Sequence, residues 1–190
     1  MGMQTKAGSE QDVVDLLIDQ HGQIKKLFAD IPAASGDRKQ ELFHDLVRLL
    51  AVHESAEELV VHPTARRKID NGDPIVSARL AEEDEAKHAL ADLYDLGVDH
   101  ADFDTRLREF ADKVVKHATA EETEEFVQLR KTVGTQELMR MAGLVRAAEA
   151  AAPTRPHPGV GESATANAMM GPPLALFDRI RDAVRGRSSS

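Results

Sequence analysis

No cysteine occurs in the 190 residues, which removes disulfides, thiolate metal sites and cysteine nucleophiles together. Tryptophan is absent and there is a single tyrosine. With a net charge of −9, the chain lacks both the basic footprint and the stacking platforms that nucleic-acid binding uses, so no nucleic-acid partner is expected. No apolar run approaches the ~20 residues of a membrane helix, so no integral membrane segment is expected. Residues 1–10 carry no apolar stretch of the secretory kind. A cytoplasmic location is the resulting expectation. The charge is also uneven: residues 151–190 hold five Arg against three acids, which leaves −11 on the preceding 150 residues.

What the chain does have is helical periodicity. Ser9-Glu10-Gln11-Asp12 resembles a capping box, and Val13, Leu16, Leu17, Ile24, Leu27 and Phe28 mark one apolar stripe that contains His21. A second helix is predicted from about Asp37 to Val61, ending at Pro63. Asn71-Gly72-Asp73-Pro74 predicts a turn and then a helix start, with Asp73 as cap and Pro74 at the first helical position. That third helix runs to about Leu96 with Val76, Leu80, Ala81, Asp84, His88 and Ala91 roughly in line, and Gly97 ends it. The fourth begins near Asp102 or Asp104 and reaches Val133. Four such segments with short connections predict an all-α, up-down-up-down four-helix bundle over residues 1–134. A C-terminal helical extension follows: an additional helix at 135–150, a Pro/Gly-containing linker at 151–173, and a short basic amphipathic helix and tail at 174–190. The last of these, with Leu174, Phe177, Ile180 and Val184 on one face, is the candidate surface for a homodimer or protein partner.

The chemistry lies in repeated polar residues on buried stripes. His53 and Glu57 stand one turn apart below Phe43, Leu46 and Leu50, and His117 and Glu121 stand likewise below Phe103, Leu107, Phe110 and Val114. The spacing suggests duplication: His21 to His88 is 67 residues, while His53 to His117 and Glu57 to Glu121 are both 64. A carboxylate aimed into an apolar core is costly unless a cation meets it. Six donors, His21, His53, Glu57, His88, His117 and Glu121, are too many for one tetrahedral zinc. Two metals sharing the carboxylates, each also held by two imidazoles, use every donor. Such a nitrogen and oxygen set suits iron better than manganese.

The ordered motif His21, His53-x-x-x-Glu57, His88, His117-x-x-x-Glu121 resembles the hemerythrin-like, or HHE cation-binding, family. Leu17-Ile18-Asp19-Gln20-His21 and Glu57-Glu58-Leu59-Val60-Val61-His62-Pro63 are similar to its surrounding consensus, and the resemblance covers about residues 10–133. It implies two non-haem iron ions, oxo-bridged when oxidised, with Glu57 and Glu121 bridging. Oxygen-carrying hemerythrins have a further histidine one turn from the helix-three ligand. Here those positions are Asp84 and Asp92, which favours chemistry over reversible storage. His62, about half a turn off its stripe, Asp84 and Asp92 are the candidates for an added ligand.

Two functions follow. In one, the iron pair binds or turns over a small oxidant (hydrogen peroxide, dioxygen or nitric oxide), through catalase-like peroxide decomposition or nitric oxide reduction. In the other, a non-enzymatic oxygen, nitric oxide or iron sensor, or an iron-binding protein, signals through the C-terminal extension. A ferritin-like carboxylate site is disfavoured, because its Glu-x-x-His pattern occurs among these histidines only at Glu85–His88.

Overall fold

A computed structural model describes residues 11–151. The 151–173 linker past Ala151, the basic helix expected at 174–190 with its partner role, and Ser9 lie outside the described residues. Among the described residues all regular structure is helical.

The first helix, α1, spans Val13–Ala33 and is capped by Asp12, whose carboxylate accepts the Asp15 backbone N–H at 3.0 Å. Asp12 therefore does the work that the sequence pattern placed at Ser9. α2 is one rod over residues 36–68, built from Gly36–Ala56, a π-helical turn at Glu57–Val61 and a last stretch His62–Lys68. It does not stop at Pro63 as expected. The π turn slips the hydrogen-bond ladder by one residue, so that the His62 N–H reaches the Glu57 carbonyl just before the proline. A residue without an N–H is tolerated where the ladder is already displaced.

α3 spans Gly72–Leu96 and is entered through Asn71 in the left-handed region (φ 54°), two residues before the expected cap at Asp73. Gly72 is required there. A Cβ would lie 2.6 Å from the Ala65 carbonyl oxygen and 2.8 Å from that of Arg66, both backbone atoms of α2. α4 covers residues 103–132 with a second π turn at Glu121–Glu125, and α5 spans Thr135–Ala151.

Helices α1 to α4 form the bundle, and α5 packs against α1 and α2. The interior is two apolar clusters rather than one. The first gathers Ile24, Phe28, Leu46, Leu50, Leu90 and Phe110, among others. The second gathers Val13, Leu17, Val61, Val76, Phe126 and Leu129 and is closed by Leu138, Met141 and Val145 of α5. Along every bundle helix the chain passes from one cluster to the other, and at each crossing it carries a buried polar residue. Burial of the two clusters holds the four rods together, and this forces the polar residues between them to face one another.

Candidate metal centre

The crossing residues are His21 on α1, His53 and Glu57 on α2, Glu83 on α3, and His117 and Glu121 on α4. Glu57 and Glu121 are completely buried. One atom from each of His21, His53, Glu57 and Glu121 lies within 4.8 Å of the others, and the same holds for Glu57, Glu83, His117 and Glu121. The two sets share Glu57 and Glu121.

Each imidazole is oriented by its outer nitrogen. His21 donates from Nδ1 to Glu122 at 2.8 Å, His53 to the Gln20 side-chain oxygen at 2.8 Å, and His117 to Glu82 at 2.9 Å. That assignment spends the single N–H of a neutral ring and leaves each Nε2 as a bare lone pair aimed inward. The consequence is sharpest between His21 and His53, whose Nε2 atoms are 3.0 Å apart. Two lone pairs at that distance repel unless a proton or a cation lies between them. Burial, followed by the neighbouring His21, pushes His53 well below the ordinary imidazole range, which keeps the ring neutral.

The carboxylates show the same need. All four oxygens of Glu57 and Glu121, Oε2 of Glu83 and Nε2 of His117 are buried without a hydrogen-bond partner. Desolvation and then the charge of Glu121 raise the Glu57 carboxyl well above its usual range. Burial works against the charge of Glu121 as well, but His117 and His21 beside it outweigh that and hold its carboxyl low. One acid accepts proton-like charge from histidines and the other lacks it. A divalent cation between them would satisfy both.

Histidine 62 completes the surroundings. Its Nε2 lies 2.6 Å from Glu83 Oε1 and its Nδ1 3.2 Å from Glu125 Oε1. Burial opposes its charge, yet the two carboxylates push its pKa up to about 10. In an α-helix His62 would face about 140° away from Glu57. The π turn supplies one extra residue, so five positions make one circuit and His62 returns to the core. Phe126 does the same five residues after Glu121 and stacks on His21, with ring centroids 5.8 Å apart. The sequence offset of His62 from its stripe is thus removed by a backbone feature that α-periodicity cannot show.

A cavity of about 230 Å³ adjoins the donors. It touches His21, His53, Glu83 and His117, has apolar walls from Ile24, Leu50, Val114 and Ala118, and includes the exposed Lys25, Lys113 and Lys116. At roughly 30 Å³ per liquid water, such a space holds a small ligand together with solvent.

The family model of the hemerythrin HHE cation-binding domain matches residues 12–129, more than half of the chain. The chain belongs to this hemerythrin HHE family. A curated relative, a DNA nickase of Nostoc sp. (strain PCC 7120), is 26% identical over 148 residues. That match takes in 76% of this chain, which spans only 42% of the nickase. A solved structure, a hemerythrin HHE cation-binding domain-containing protein from Mycobacterium kansasii, is 19% identical with a TM-score of 0.64, covering 74% of this chain and 86% of that one. That likeness concerns the fold. Family membership and the buried His/Glu cluster together mark this bundle as metal-binding.

The expected HHE motif needs one correction. His21, His53, Glu57, His117 and Glu121 converge, but His88 does not. Its side chain is 70% exposed on the outer face of α3, 3.9 Å from the equally exposed Asp84. Asp92 also faces outward. The buried line of α3 runs through Val76, Glu83 and Leu90, seven residues apart, with Arg79 and Leu93 beside it. His88 lies five residues past Glu83, well over a quarter-turn from that line. The heptad Val76–Glu83–Leu90 is the sequence signal that marks Glu83, and a search for histidine passes over it. Replacing His88 by alanine is accordingly expected to leave metal content unchanged and stability within about 0.5 kcal/mol of the parent. Metal analysis with a thermal melt checks this, and loss of a metal would restore His88 to the site.

Proposed function

We propose that this chain is a cytoplasmic protein that holds two iron ions at the His/Glu cluster and turns over a small oxidant, hydrogen peroxide first among them. The observation that carries the reading is the pair of imidazole Nε2 atoms 3.0 Å apart, each ring pinned by its Nδ1 donation, beside two buried carboxylates whose oxygens accept no hydrogen bond and lie 3.2–3.3 Å from imidazole nitrogens. When bound, a redox-active pair supplies and recovers two electrons, enough for one peroxide to be reduced to water and a second oxidised to dioxygen. The protein's own part is positional. Glu57 and Glu121, which belong to both donor sets, would hold the ions, Glu122, Gln20 and Glu82 fix the three imidazoles, and the cavity admits a ligand only a few atoms across. Its apolar walls limit how much water accompanies that ligand.

The test is anaerobic loading of the stripped chain with ferrous ion, followed by metal analysis and an oxygen electrode. The expected result is two irons per chain and oxygen release from peroxide above that of the same iron free in solution. A chain that stays metal-free ends the reading, and release equal to free iron ends its catalytic half.

One contact favours the sensing alternative. Gln20, which accepts from His53, itself donates to Glu149 of α5 at 2.6 Å. The helix that leads into the C-terminal extension is thereby connected to a site imidazole through one amide. On this reading, deleting residues 152–190 leaves metal binding intact and removes a partner interaction. A truncated chain with unchanged partner binding and ligand response would argue against it.

A further inference from the structure

We infer that the two metal positions are chemically unequal, and that the one built by Glu57, Glu83, His117 and Glu121 accepts manganese while the one built by His21, His53, Glu57 and Glu121 selects iron. The inference rests on the two-metal reading above and adds a metal class to each half of it. Its basis is the donor census. The His21/His53 position, the first, has two imidazole nitrogens and two carboxylates, whereas the Glu83/His117 position, the second, has one imidazole and three carboxylates. The difference is Glu83, which occupies on α3 the place where a histidine was expected. It is 1% exposed, one of its oxygens lies within 4.8 Å of the other three donors, and its Oε2 is buried without a hydrogen-bond partner.

Donor type decides which ion benefits. Imidazole nitrogen strengthens binding along the series from manganese to iron, while carboxylate oxygen suits the harder manganese ion and discriminates less between the two. Exchanging one nitrogen for one charged oxygen therefore narrows the advantage of iron at the second position alone. The surroundings reinforce the inequality. Glu83 Oε1 is held by His62, which also pairs with Glu125, so Glu83 is anchored on α3 with only its second oxygen free to ligate. At the first position the outer partners are Gln20, a neutral amide behind His53, and Glu122 behind His21, and no third carboxylate is among its donors.

The experiment uses the full-length chain, stripped and then equilibrated anaerobically with ferrous ion and a tenfold excess of Mn²⁺. Metal analysis is expected to find about one manganese and one iron per chain. Pulsed EPR of the chain loaded with a single equivalent of Mn²⁺ is expected to show coupling to one directly bound imidazole nitrogen. Glu83→His should shift the mixture to two irons and raise the iron preference at that position about tenfold or more. Should this variant fail to fold, the nitrogen count on the unaltered chain decides alone. Two irons with manganese excluded, or two nitrogens on the bound manganese, would overturn the inference while leaving the two-metal reading standing. A chain that takes neither ion would overturn both.

Discussion

Glu57→Gln is expected to abolish tight binding of both metals and yet to stabilise the metal-free chain. The first effect follows from sharing: Glu57 belongs to both donor sets, so no position survives its loss. Disturbing only an outer partner of a metal ligand already costs about 10–100-fold in affinity, so more than a hundredfold is expected here. The second effect follows from the lack of a hydrogen-bond donor to either Glu57 oxygen: His53 Nε2 lies 3.3 Å away, but that ring is kept neutral and its N–H is spent on Gln20. Without metal, burial and Glu121 raise its carboxyl, so its charge is a liability in the folded state. A glutamine of the same shape removes that charge and offers its amide hydrogens to Glu121. Relief of about 2 kcal/mol is expected, or roughly 4–8 °C in melting temperature for a domain of this size. Glu121→Gln should behave oppositely in the metal-free chain. Burial opposes its charge too, but it lies 3.2 Å from His117 and 3.3 Å from His21, and these outweigh that cost. Both variants lose metal, and only the second melts lower. Thermal melts in chelator with parallel metal analysis separate the cases. A Glu57→Gln chain that keeps either ion, or that melts below the stripped parent, contradicts the shared-carboxylate geometry.

The four rods and most of the centre are legible in the chain because they follow α-helical arithmetic. His53 and Glu57 are four apart before the π turn begins, and His117 and Glu121 likewise, so both pairs share a face without any special backbone. What escapes is what breaks that arithmetic. His62 reaches the core only because a π turn inserts one residue after Glu57, and nothing in Glu57–Val61 announces the slip to a 3.6-residue count. Glu83 escapes for a different reason. A glutamate among Glu82, Asp84 and Glu85 looks like one more residue of a solvated acidic face, and a nearby histidine draws the eye from it. Its burial is settled by Val76 and Leu90, which anchor α3 in the two separate apolar clusters and leave Glu83 midway between them. The polar waist is a property of packing both ends of the bundle, and it can be read only when the phase of each helix is known.

Stripping the metals is expected to lower the melting temperature by about 10 °C, and the deficit should widen as pH rises from 6.5 to 9. Two ions, each present at about thirty times its dissociation constant, contribute about 2 kcal/mol apiece and so roughly 4 kcal/mol together to the folded state, which is the source of the first figure. The pH dependence comes from protons that stand in for the ions. In the metal-free chain, burial opposes the charge of His117, but Glu121 and Glu82 raise its pKa to about 9, and Glu125 and Glu83 likewise outweigh burial to raise His62 to about 10. A histidine whose folded pKa exceeds its unfolded value of about 6.5 contributes fully below pH 6.5, and the contribution disappears as pH climbs through the folded value. For His117 this amounts to a loss on the order of 3 kcal/mol by pH 9. Burial raises the carboxyls of Glu57 and Glu54, which act in the same direction from about pH 4.5 upward. The lowered His53 acts against them, but only below pH 6.5, where the unfolded ring is still protonated. Above that value every shifted group named here weakens the stripped chain. In the loaded chain the ions replace the protons on His117 and Glu57, and their binding tightens as competing protons leave. Paired melts of loaded and chelated protein across this range give the two slopes directly. Parallel slopes would mean that the buried imidazoles and carboxylates are satisfied by something other than metal.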